Sequence, residues 1–522
     1  MEPAGTLERG LSVLRALAAD PRRPARATDL VRATGLARST VDRVLGTLAH
    51  LGYVRADGRD VVLAPRLMEL GEAYLSGSGL RDAVAGPAAR LADELDESVS
   101  VAVRDGDGVR FVAQVTRRRR MSVTFRVGDV LPASRCAAGL ALLDPAKPWA
   151  EDDQLIEPGL IAVAVPVRGE PACAVSVVSH TSRHTVAELR DHCLPALRET
   201  VAEMEAALAA PGPQAAPSTP APQAAPSTSS PQAAPPASGP SALPAGPAGA
   251  ATPATSSSSD AAKEAKRELG MGFLQSLARG LAVMVALGSA RGGVTLADCA
   301  KVTGLPRATV RRAVQALERL GYAAARGTRF TLLPRVLELG YAHLSGLTFR
   351  EIVQPHLADL AARVDESASV AVLSGDDVLY VARVQTVSLM SVNITVGTRF
   401  PAYATSMGRV LLAEQPDERL AAIEPRRLAT RTVTSRDELR ALVRRAAADG
   451  YALVDQELEE GVRSIAVPIK DRTGSTVAAV NVATHAGRAG NDALVRDVLP
   501  ALRETAAKMA ADLAYTGAVA AE

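Results

Sequence analysis

The stretch TGLARSTVDRVLGTLAHLGYV, residues 34–54, decides the fold, because a glycine turn is followed by an amphipathic segment. A near-copy, TGLPRATVRRAVQALERLGYA, occupies residues 303–323, and eleven of the first twenty positions agree. Two short helices joined through a glycine turn are typical of a helix-turn-helix, whose second helix can enter the major groove of DNA. The repeat therefore predicts two DNA-reading helices in one chain, the first from Arg38 to about His50.

A short hairpin follows each copy. In the first copy a strand, an Asp57-Gly58 turn and a second strand form the pattern of a wing. Helix and wing together give these candidate DNA contacts in the first copy: Arg38, Ser39, Thr40, Arg43, Arg55 and Arg59. The candidates in the second copy are Arg307, Thr309, Arg311, Arg312, Arg326 and Arg329. Such a run of charge is also compatible with a solvated face of a helical bundle.

The chain consists of two related units of sequence joined by a linker. Landmarks such as Gly35 and Gly304 lie 269 residues apart, whereas Pro166 and Pro468 lie 302 apart, so the first unit lacks 33 residues of the second. This spacing indicates duplication of a complete multidomain unit. The predicted domains are winged helix-turn-helix domains at 1–66 and 263–335, effector domains at 67–210 (truncated) and 336–518, and a linker at 211–262.

The linker has its own composition. Residues 211–259 carry no charge and contain PQAAP three times. A Pro/Ala/Ser stretch of this kind cannot bury a core, so it is predicted to be a disordered tether. As a flexible coil it would span roughly 40 Å, which is comparable with the separation of two DNA half-sites one helical turn apart.

Composition narrows the functional classes. The net charge is only +2, so affinity for nucleic acid has to come from local patches. Four cysteines without a CxxC pair, no secretory signal and no long apolar run favour a cytoplasmic protein. We expect no cofactor and no enzymatic activity, since hydrolase, P-loop and zinc-protease motifs are missing. A metal at His180, His184, His192 and Cys193 is not expected, because only His180 recurs in the second unit, as His485.

Several longer strings carry a family resemblance. They are LPRVLELG (333–340), DESASVAVL (365–373), VGTRFPAYATSMGR (396–409), GYALVDQELEEGVRSIAVPI (450–469) and LPALRETAAKM (499–509). With these strings the chain resembles the IclR-type transcriptional regulators over both units. Unit 2 is most similar to the subgroup that regulates protocatechuate and β-ketoadipate pathways. The resemblance implies an α+β fold: two copies of a winged helix-turn-helix plus a GAF/profilin-like α/β effector domain.

The resemblance also implies an effector pocket in unit 2. Carried over position by position, its residues are Arg399, Thr405, Ser406, Met407, Asp455, Arg463, Ser464 and Asn481. The amide groups at the start of the helix after Thr405, with the two arginines, would suit an acid. The alternative is that the hydroxyl groups only cap helices and strands. Unit 1 replaces Arg463 by Ile161 and Ser464 by Ala162, so we expect unit 2 to sense the ligand.

These observations predict a sequence-specific DNA-binding transcriptional regulator. Its partners would be operator DNA, a small aromatic or dicarboxylic acid effector, and a second DNA-binding unit, either within the chain as a pseudo-dimer or from another copy. The open alternative is a tandem ligand-binding or dimerisation scaffold with degenerate DNA-binding domains. Exposed arginines on the two reading helices distinguish the two functions.

Overall fold

The computed structural model describes residues 5–21, 23–117, 125–210, 272–386, 394–488 and 490–516. The predicted linker at 211–262 lies outside the described residues. Each unit has a small N-terminal domain, a connecting segment and a larger α/β domain. This arrangement confirms the predicted α+β fold class.

The N-terminal domain of unit 1 is three helices and a hairpin. The helices are Thr6–Ala19, Ala27–Thr34 and Arg38–His50, and the hairpin strands are β1 (Val54–Asp57) and β2 (Asp60–Leu63). Gly35 ends the second helix at φ +68°, a left-handed conformation that glycine adopts without steric cost. Apolar side chains at helical spacing, including Val41, Val44 and Leu48, bury the inner face of the third helix.

In unit 1, the connecting segment leads into a six-stranded antiparallel sheet. A 3₁₀ turn (Pro65–Leu67) continues into the helices Met68–Gly77 and Leu80–Leu95. The strands are β3 (Ser98–Asp105), β4 (Gly108–Val115), β5 (Val130–Pro132), β6 (Ala150–Asp153), β7 (Leu160–Val167) and β8 (Cys173–His180). Their order is β5-β4-β3-β8-β7-β6. The short helix Ala137–Leu143 and the closing helix Val186–Ala209 pack on the sheet.

Unit 2 repeats the N-terminal domain. Its helices are Gln275–Leu287, Leu296–Thr303 and Arg307–Arg319. The strands β9 (Val294–Thr295), β10 (Ala323–Arg326) and β11 (Arg329–Leu332) form a three-stranded sheet in the order β10-β11-β9. A single hydrophobic core continues from this domain into the N-terminal domain of unit 1.

The connecting segment of unit 2 differs from that of unit 1. A 3₁₀ turn (Pro334–Glu338) is separated at Gly340 from the short helix Tyr341–Leu344, whereas in unit 1 the turn runs directly into the helix Met68–Gly77. Gly340 has φ +104°, and a Cβ at this position would lie 2.6 Å from Leu63 of unit 1. The break therefore follows from packing between the units, which the local sequence does not report.

The α/β domain of unit 2 has the same sheet with two additional helices. Its strands, in the order β14-β13-β12-β17-β16-β15, are β12 (Ser367–Ser374), β13 (Asp377–Val384), β14 (Arg399–Pro401), β15 (Ala452–Asp455), β16 (Val462–Lys470) and β17 (Thr476–His485). The helices are Phe349–Val364, Ser406–Leu412, Asp417–Ala422, Arg436–Asp449, Asn491–Ala493 and Leu499–Thr516, with a π turn at Leu494–Val498. Helices Asp417–Ala422 and Arg436–Asp449 belong to the segment that unit 1 lacks.

Candidate DNA-binding surfaces and effector cavity

The recognition helix of unit 1, Arg38–His50, presents a polar outer face. Arg38, Ser39 and Arg43 are exposed, and Thr40 is half-buried. Arg38 donates from Nε to the carboxylate of Asp42 at 2.9 Å, one helical turn away. A negative side chain thus stands among the predicted phosphate contacts and partly neutralises one of them.

The recognition helix of unit 2, Arg307–Arg319, is more basic. Arg307, Arg311 and Arg312 are all exposed, with Thr309 half-buried between them. Among the described residues, no ion pair engages these three arginines. Val310, Val314 and Leu317 are buried on the opposite side and hold the helix on its domain. The arrangement leaves three guanidinium groups available to phosphates or base edges.

The predicted wing arginines have different surroundings. Arg59 is exposed at the tip of the unit 1 wing, and Arg329 donates to the carbonyl of Gly293 at 2.8 Å. Arg326 forms an ion pair with Glu170, which belongs to the α/β domain of unit 1. Arg55 is half-buried near Asp512 of unit 2, and burial lowers the pKa of its guanidinium. Two of the four wing arginines are therefore engaged by the other unit's larger domain.

The α/β domain of unit 2 contains a cavity of about 470 Å³ between strands β13, β16 and β17. Three of the eight predicted effector residues, Thr405, Ser464 and Asn481, line it. Ser406 lies directly behind, with its hydroxyl 2.8 Å from that of Ser464. The position of these four residues agrees with the predicted pocket region, while their role in ligand binding stays a prediction.

The other four predicted residues do not line the cavity. Met407 is fully buried in the core of the domain. Arg463 donates to Asp455 at 2.9 Å, and this hydrogen bond lowers the pKa of the carboxyl group. Arg399 pairs with Asp377 at 3.3 Å on the outermost strand pair of the sheet. The structure thus places Arg399 away from the cavity, and Asp455 and Arg463 act as neighbours that brace its rim.

Tyr380 and Arg383 line the cavity and were missed by sequence reasoning. They are three residues apart on β13, so strict alternation would send them to opposite faces of the sheet. The register of β12 and β13 shifts at Val370 and Ala371, opposite this stretch. Such a bulge reverses the alternation and brings both side chains to one face. A bulge of this kind leaves little local signal in one sequence.

The cavity walls combine charged, polar and apolar side chains. Burial raises the pKa of Tyr380 to about 12 and lowers the pKa of Arg383. Asn481 is 4% exposed, and its side-chain oxygen has no hydrogen-bond partner within the described ranges. Thr405, in contrast, accepts a hydrogen bond from the Gly408 amide at 2.9 Å and so caps the helix. Asn481 is therefore an acceptor that a ligand donor can satisfy, whereas Thr405 already has a structural role.

A buried ion pair supports the rim. Arg409, 2% exposed, donates two hydrogen bonds to Glu457, at 2.8 Å to Oε1 and 2.5 Å to Oε2. The additional segment of unit 2 reaches the same loop, because Thr432 donates to the Glu457 carbonyl at 2.6 Å and Thr430 to the Glu460 carboxylate at 2.6 Å. The residues of this segment are not among those that line the cavity; they hold the loop that does.

The equivalent positions in unit 1 are less polar. Phe111 replaces Tyr380, and its ring stacks on Phe125 with centroids 4.9 Å apart. Gln114 stands where unit 2 has Arg383, and Cys136 precedes the helix Ala137–Leu143 at the position where Thr405 caps Ser406–Leu412 in unit 2. Sheet register places Ser176 opposite Ser100, as it places Asn481 opposite Ser369. Unit 1 keeps the framework but changes the chemistry of its interior.

The described residues were also compared with the requirements of a metal site and of a membrane-spanning helix, and they meet neither. Among the described residues, no group of three or more histidine, cysteine or acidic side chains could hold a metal ion. Within the same ranges, no helix is long and apolar enough to cross a membrane.

Comparison with known proteins gives two family matches, each found twice in the chain. The IclR helix-turn-helix domain matches residues 6–58 and 276–327, and the bacterial transcriptional regulator IclR C-terminal domain matches 72–157 and 341–511. The matches follow the order of the two structural units and together cover more than half of the chain. They confirm that the repeat is a duplication of a complete regulator unit.

Individual relatives agree with these matches. The Pca regulon regulatory protein of Pseudomonas putida is 45% identical over 235 residues, 44% of this chain and 81% of that protein. The p-hydroxybenzoate hydroxylase transcriptional activator of Acinetobacter baylyi is 31% identical over 243 residues, 45% of this chain and 90% of that protein. A crystal structure of a regulator from Rhodococcus sp. RHA1 is 51% identical, with a TM-score of 0.44, covering 47% of this chain and 99% of that one. The relatives are named as regulators, not enzymes, and the chain belongs to the IclR family of bacterial transcriptional regulators.

Proposed function

We propose that this regulator binds operator DNA through both recognition helices and is controlled by an organic acid in the cavity of unit 2. The cavity is the observation that carries the proposal, because it brings Arg383, a buried tyrosine and an unsatisfied amide oxygen together with apolar side chains such as Ile394 and Leu458. A concave site that offers apolar contact and a few convergent polar groups is typical of small-molecule binding. DNA binding places the site of action in the cytoplasm.

An aromatic acid fits these walls best. Two arginines line the cavity: Arg488 is exposed and pairs with Glu366, whereas Arg383 is half-buried. The guanidinium of Arg383 would pair with a carboxylate. Asn481 would accept a hydrogen bond from a ring hydroxyl of the ligand. The ring of Tyr380 and the side chain of Ile394 offer apolar contact. Two of the relatives described above are named for the Pca regulon and for p-hydroxybenzoate hydroxylase, which supports the same ligand class.

The signal has a physical route to the DNA-binding domains. Strand β17, which carries Asn481, packs against the closing helix Leu499–Thr516 of unit 2. That helix packs on the turn Pro65–Leu67, which joins the wing of unit 1 to its connecting helix, and Tyr515 lies beside Glu69 there. A ligand that shifts β17 would thus bias the orientation of the unit 1 DNA-binding domain, and so couple effector and operator affinity.

Calorimetry on the full chain tests the ligand site. Titration with 4-hydroxybenzoate, 3,4-dihydroxybenzoate and succinate should show one aromatic-acid site per chain. Arg383→Met should weaken binding at least about tenfold, since a charge-assisted hydrogen bond is lost. The matched change in unit 1, Gln114→Met, should leave affinity unchanged. Two equal sites per chain, or equal losses of affinity in the two variants, would rule out unit 2 as the single sensor.

A gel-shift experiment tests DNA binding separately. Full-length protein is mixed with fragments of its own upstream region, with and without the aromatic acids. Replacing Arg38 and Arg307 together by alanine should weaken the complex about tenfold or more. Unchanged binding by the double variant would favour the alternative, in which the helix-turn-helix domains are degenerate.

A further inference from the structure

The first helices of the two units pack at matching glycines. A Cβ added at Gly10 would lie 2.3 Å from Leu277, and one added at Gly280 would lie 2.6 Å from Leu7. Each unit thus presents a leucine to the glycine of the other. Leu274 also donates its backbone amide to Thr47 of unit 1 at 2.9 Å, and Phe273 stands edge-on to His50. The two DNA-binding domains are therefore packed against each other within this chain.

A second contact joins two unlike residues from equivalent positions of the repeat. Glu72 and Tyr341 are 269 residues apart, which is the repeat offset, and the Tyr341 hydroxyl donates to the Glu72 carboxylate. Arg81 donates to the same carboxylate at 2.5 Å. The ring of Tyr341 fills the space beside Gly71, where a Cβ would lie 2.2 Å from it. A donor in unit 2 thus meets an acceptor in unit 1.

Pairing between two identical units would remove this complementarity. Residues at equivalent positions would then meet their own copies, so that Glu72 would face a second carboxylate and Tyr341 a second phenol. Two close carboxylates repel each other in a half-buried contact, even with an Arg81 beside each of them. Specificity that depends on such a repulsive alternative is common in paired helices. The contact therefore favours unit 1 with unit 2 over either unit with itself.

The exit from unit 1 is also fixed on unit 2. Arg291, in the N-terminal domain of unit 2, donates to the carbonyls of Ala207 and Leu208 at 3.0 Å and 2.7 Å. These residues lie in the last turn of the closing helix of unit 1, immediately before the linker. The chain thus leaves unit 1 at the surface of the domain that it must reach, which makes pairing within one chain geometrically direct.

We infer that one chain is a complete, heterotypic DNA-binding pair whose operator is directional, with two unequal half-sites. The inference rests on the proposed DNA-binding function and adds the class of operator. Symmetric pairs of identical domains read palindromic sites because protein symmetry is mirrored in the DNA. Here the two recognition helices carry different side chains, Asp42 in unit 1 against Arg311 in unit 2, and the heterotypic contact fixes which helix takes which half-site.

Cleavage of the linker tests the pairing without DNA. A protease site is inserted within residues 225–245 of the full chain, and the cut protein is analysed by native mass spectrometry. Complexes should contain one fragment of each unit. Tyr341→Glu should raise the dissociation constant of the fragments about tenfold or more, and Glu72→Gln added to it should recover much of the loss, because the amide can donate to the new carboxylate.

One substitution serves as a control, and two results would contradict the proposed pairing. Tyr341→Phe keeps the ring beside Gly71 and should have a smaller effect than Tyr341→Glu. If the wild-type fragments assemble with their own kind, heterotypic pairing is wrong, whether or not any variant folds. Equal stability of Tyr341→Glu and wild-type complexes would also overturn the role of this contact.

Selection from random DNA duplexes tests the operator. Full-length protein should enrich a motif with two different halves, and mass measurement should find one chain on each duplex. A palindromic motif that binds two chains would overturn the directional operator. If no duplex is enriched, the proposed DNA binding fails instead, while the fragment experiment still decides the pairing.

Discussion

The α/β domains of the two units share one sheet order and differ in what fills it. In unit 2 the interior holds Tyr380, Arg383 and Asn481 around a cavity, and a buried ion pair supports the rim. In unit 1 the corresponding places hold Phe111, Gln114 and Ser176, and a pair of stacked phenylalanine rings lies inside. The same framework therefore accommodates two interiors of different polarity.

Substitution of the buried ion pair Arg409–Glu457 should give the largest difference in stability between the two units. Unit 1 has Leu140 and Leu155 where unit 2 has Arg409 and Glu457, so nature has already replaced both partners in one copy. Arg409→Leu alone should destabilise unit 2 by about 3–5 kcal/mol, because it leaves the Glu457 carboxylate buried without its cation. Adding Glu457→Leu copies unit 1 and should recover at least half of the loss.

Urea unfolding of the full chain measures this difference. Far-UV circular dichroism follows both units, whereas fluorescence of Trp149, the single tryptophan, follows unit 1. The shift should therefore be larger in the dichroism than in the fluorescence. Equal destabilisation by the single and double variants would show that hydrogen bonds to the surrounding backbone, and not charge pairing, hold the loop.

The recognition helices differ in charge more than in shape. Arg38–His50 carries two arginines and one aspartate, a net charge of +1, whereas Arg307–Arg319 carries four arginines and one glutamate, a net charge of +3. Both are thirteen residues long and start after a left-handed glycine. The two half-sites should therefore contribute unequally to affinity, and salt should weaken the unit 2 contribution more strongly.

Alanine substitutions in the two recognition helices should change the affinity for operator DNA in opposite directions. Arg311→Ala is expected to weaken operator binding about tenfold and to reduce the salt slope by about 1. Asp42→Ala is expected to strengthen binding about threefold, because it removes a negative charge and releases Arg38. Gel shifts across a salt series give both values, with Arg444→Ala, on an exposed helix of the unit 2 α/β domain, as the control. Weaker binding by Asp42→Ala would assign that side chain a direct DNA contact.

The sequence predicts some of these features closely and others not at all. The predicted first recognition helix coincides with the observed Arg38–His50, because its apolar spacing and preceding glycine are local signals. The family pattern named Thr405, Ser464 and Asn481 as effector contacts, and the structure brings these three residues to one cavity, while their role in binding stays a prediction. Local periodicity and a long family motif are thus sufficient for the framework and for part of the cavity.

The features that the sequence does not predict share a physical cause. Tyr380 and Arg383 reach the cavity through a strand bulge, and Arg399 leaves it because β14 pairs at the far edge of the sheet. The break at Gly340 and the covering of Arg55 both depend on the other unit. Register shifts and contacts between distant segments are set by tertiary packing, which no short window of sequence encodes.

One hydrogen bond should contribute equally to the stability of the two units. Tyr53 donates to Glu69 in unit 1, and Tyr322 donates to Glu338 in unit 2 at 2.6 Å. Each Tyr→Phe substitution should cost about 1 kcal/mol of unfolding free energy, as for a typical hydrogen bond. Burial raises the pKa of both phenols, so the contribution is present below the unfolded pKa of about 10 and is lost as pH rises above it. Thermal unfolding at pH 7 and pH 10.5 tests both parts, and a loss in only one unit would show that the copies have diverged here too.

The smallest expected effect concerns the reactivity of Cys136. This thiol is buried at the position of Thr405, within the cluster that contains the stacked Phe111 and Phe125, and burial raises its pKa. In the folded chain it should resist iodoacetamide at pH 8, because little thiolate forms and the interior is filled. Thr405→Cys places a thiol in the wall of the unit 2 cavity, where labelling should be at least about tenfold faster and should slow when an aromatic acid is bound. Peptide mass spectrometry separates the two sites in one sample, and equal labelling would show that the interior of unit 1 is as open as the cavity of unit 2.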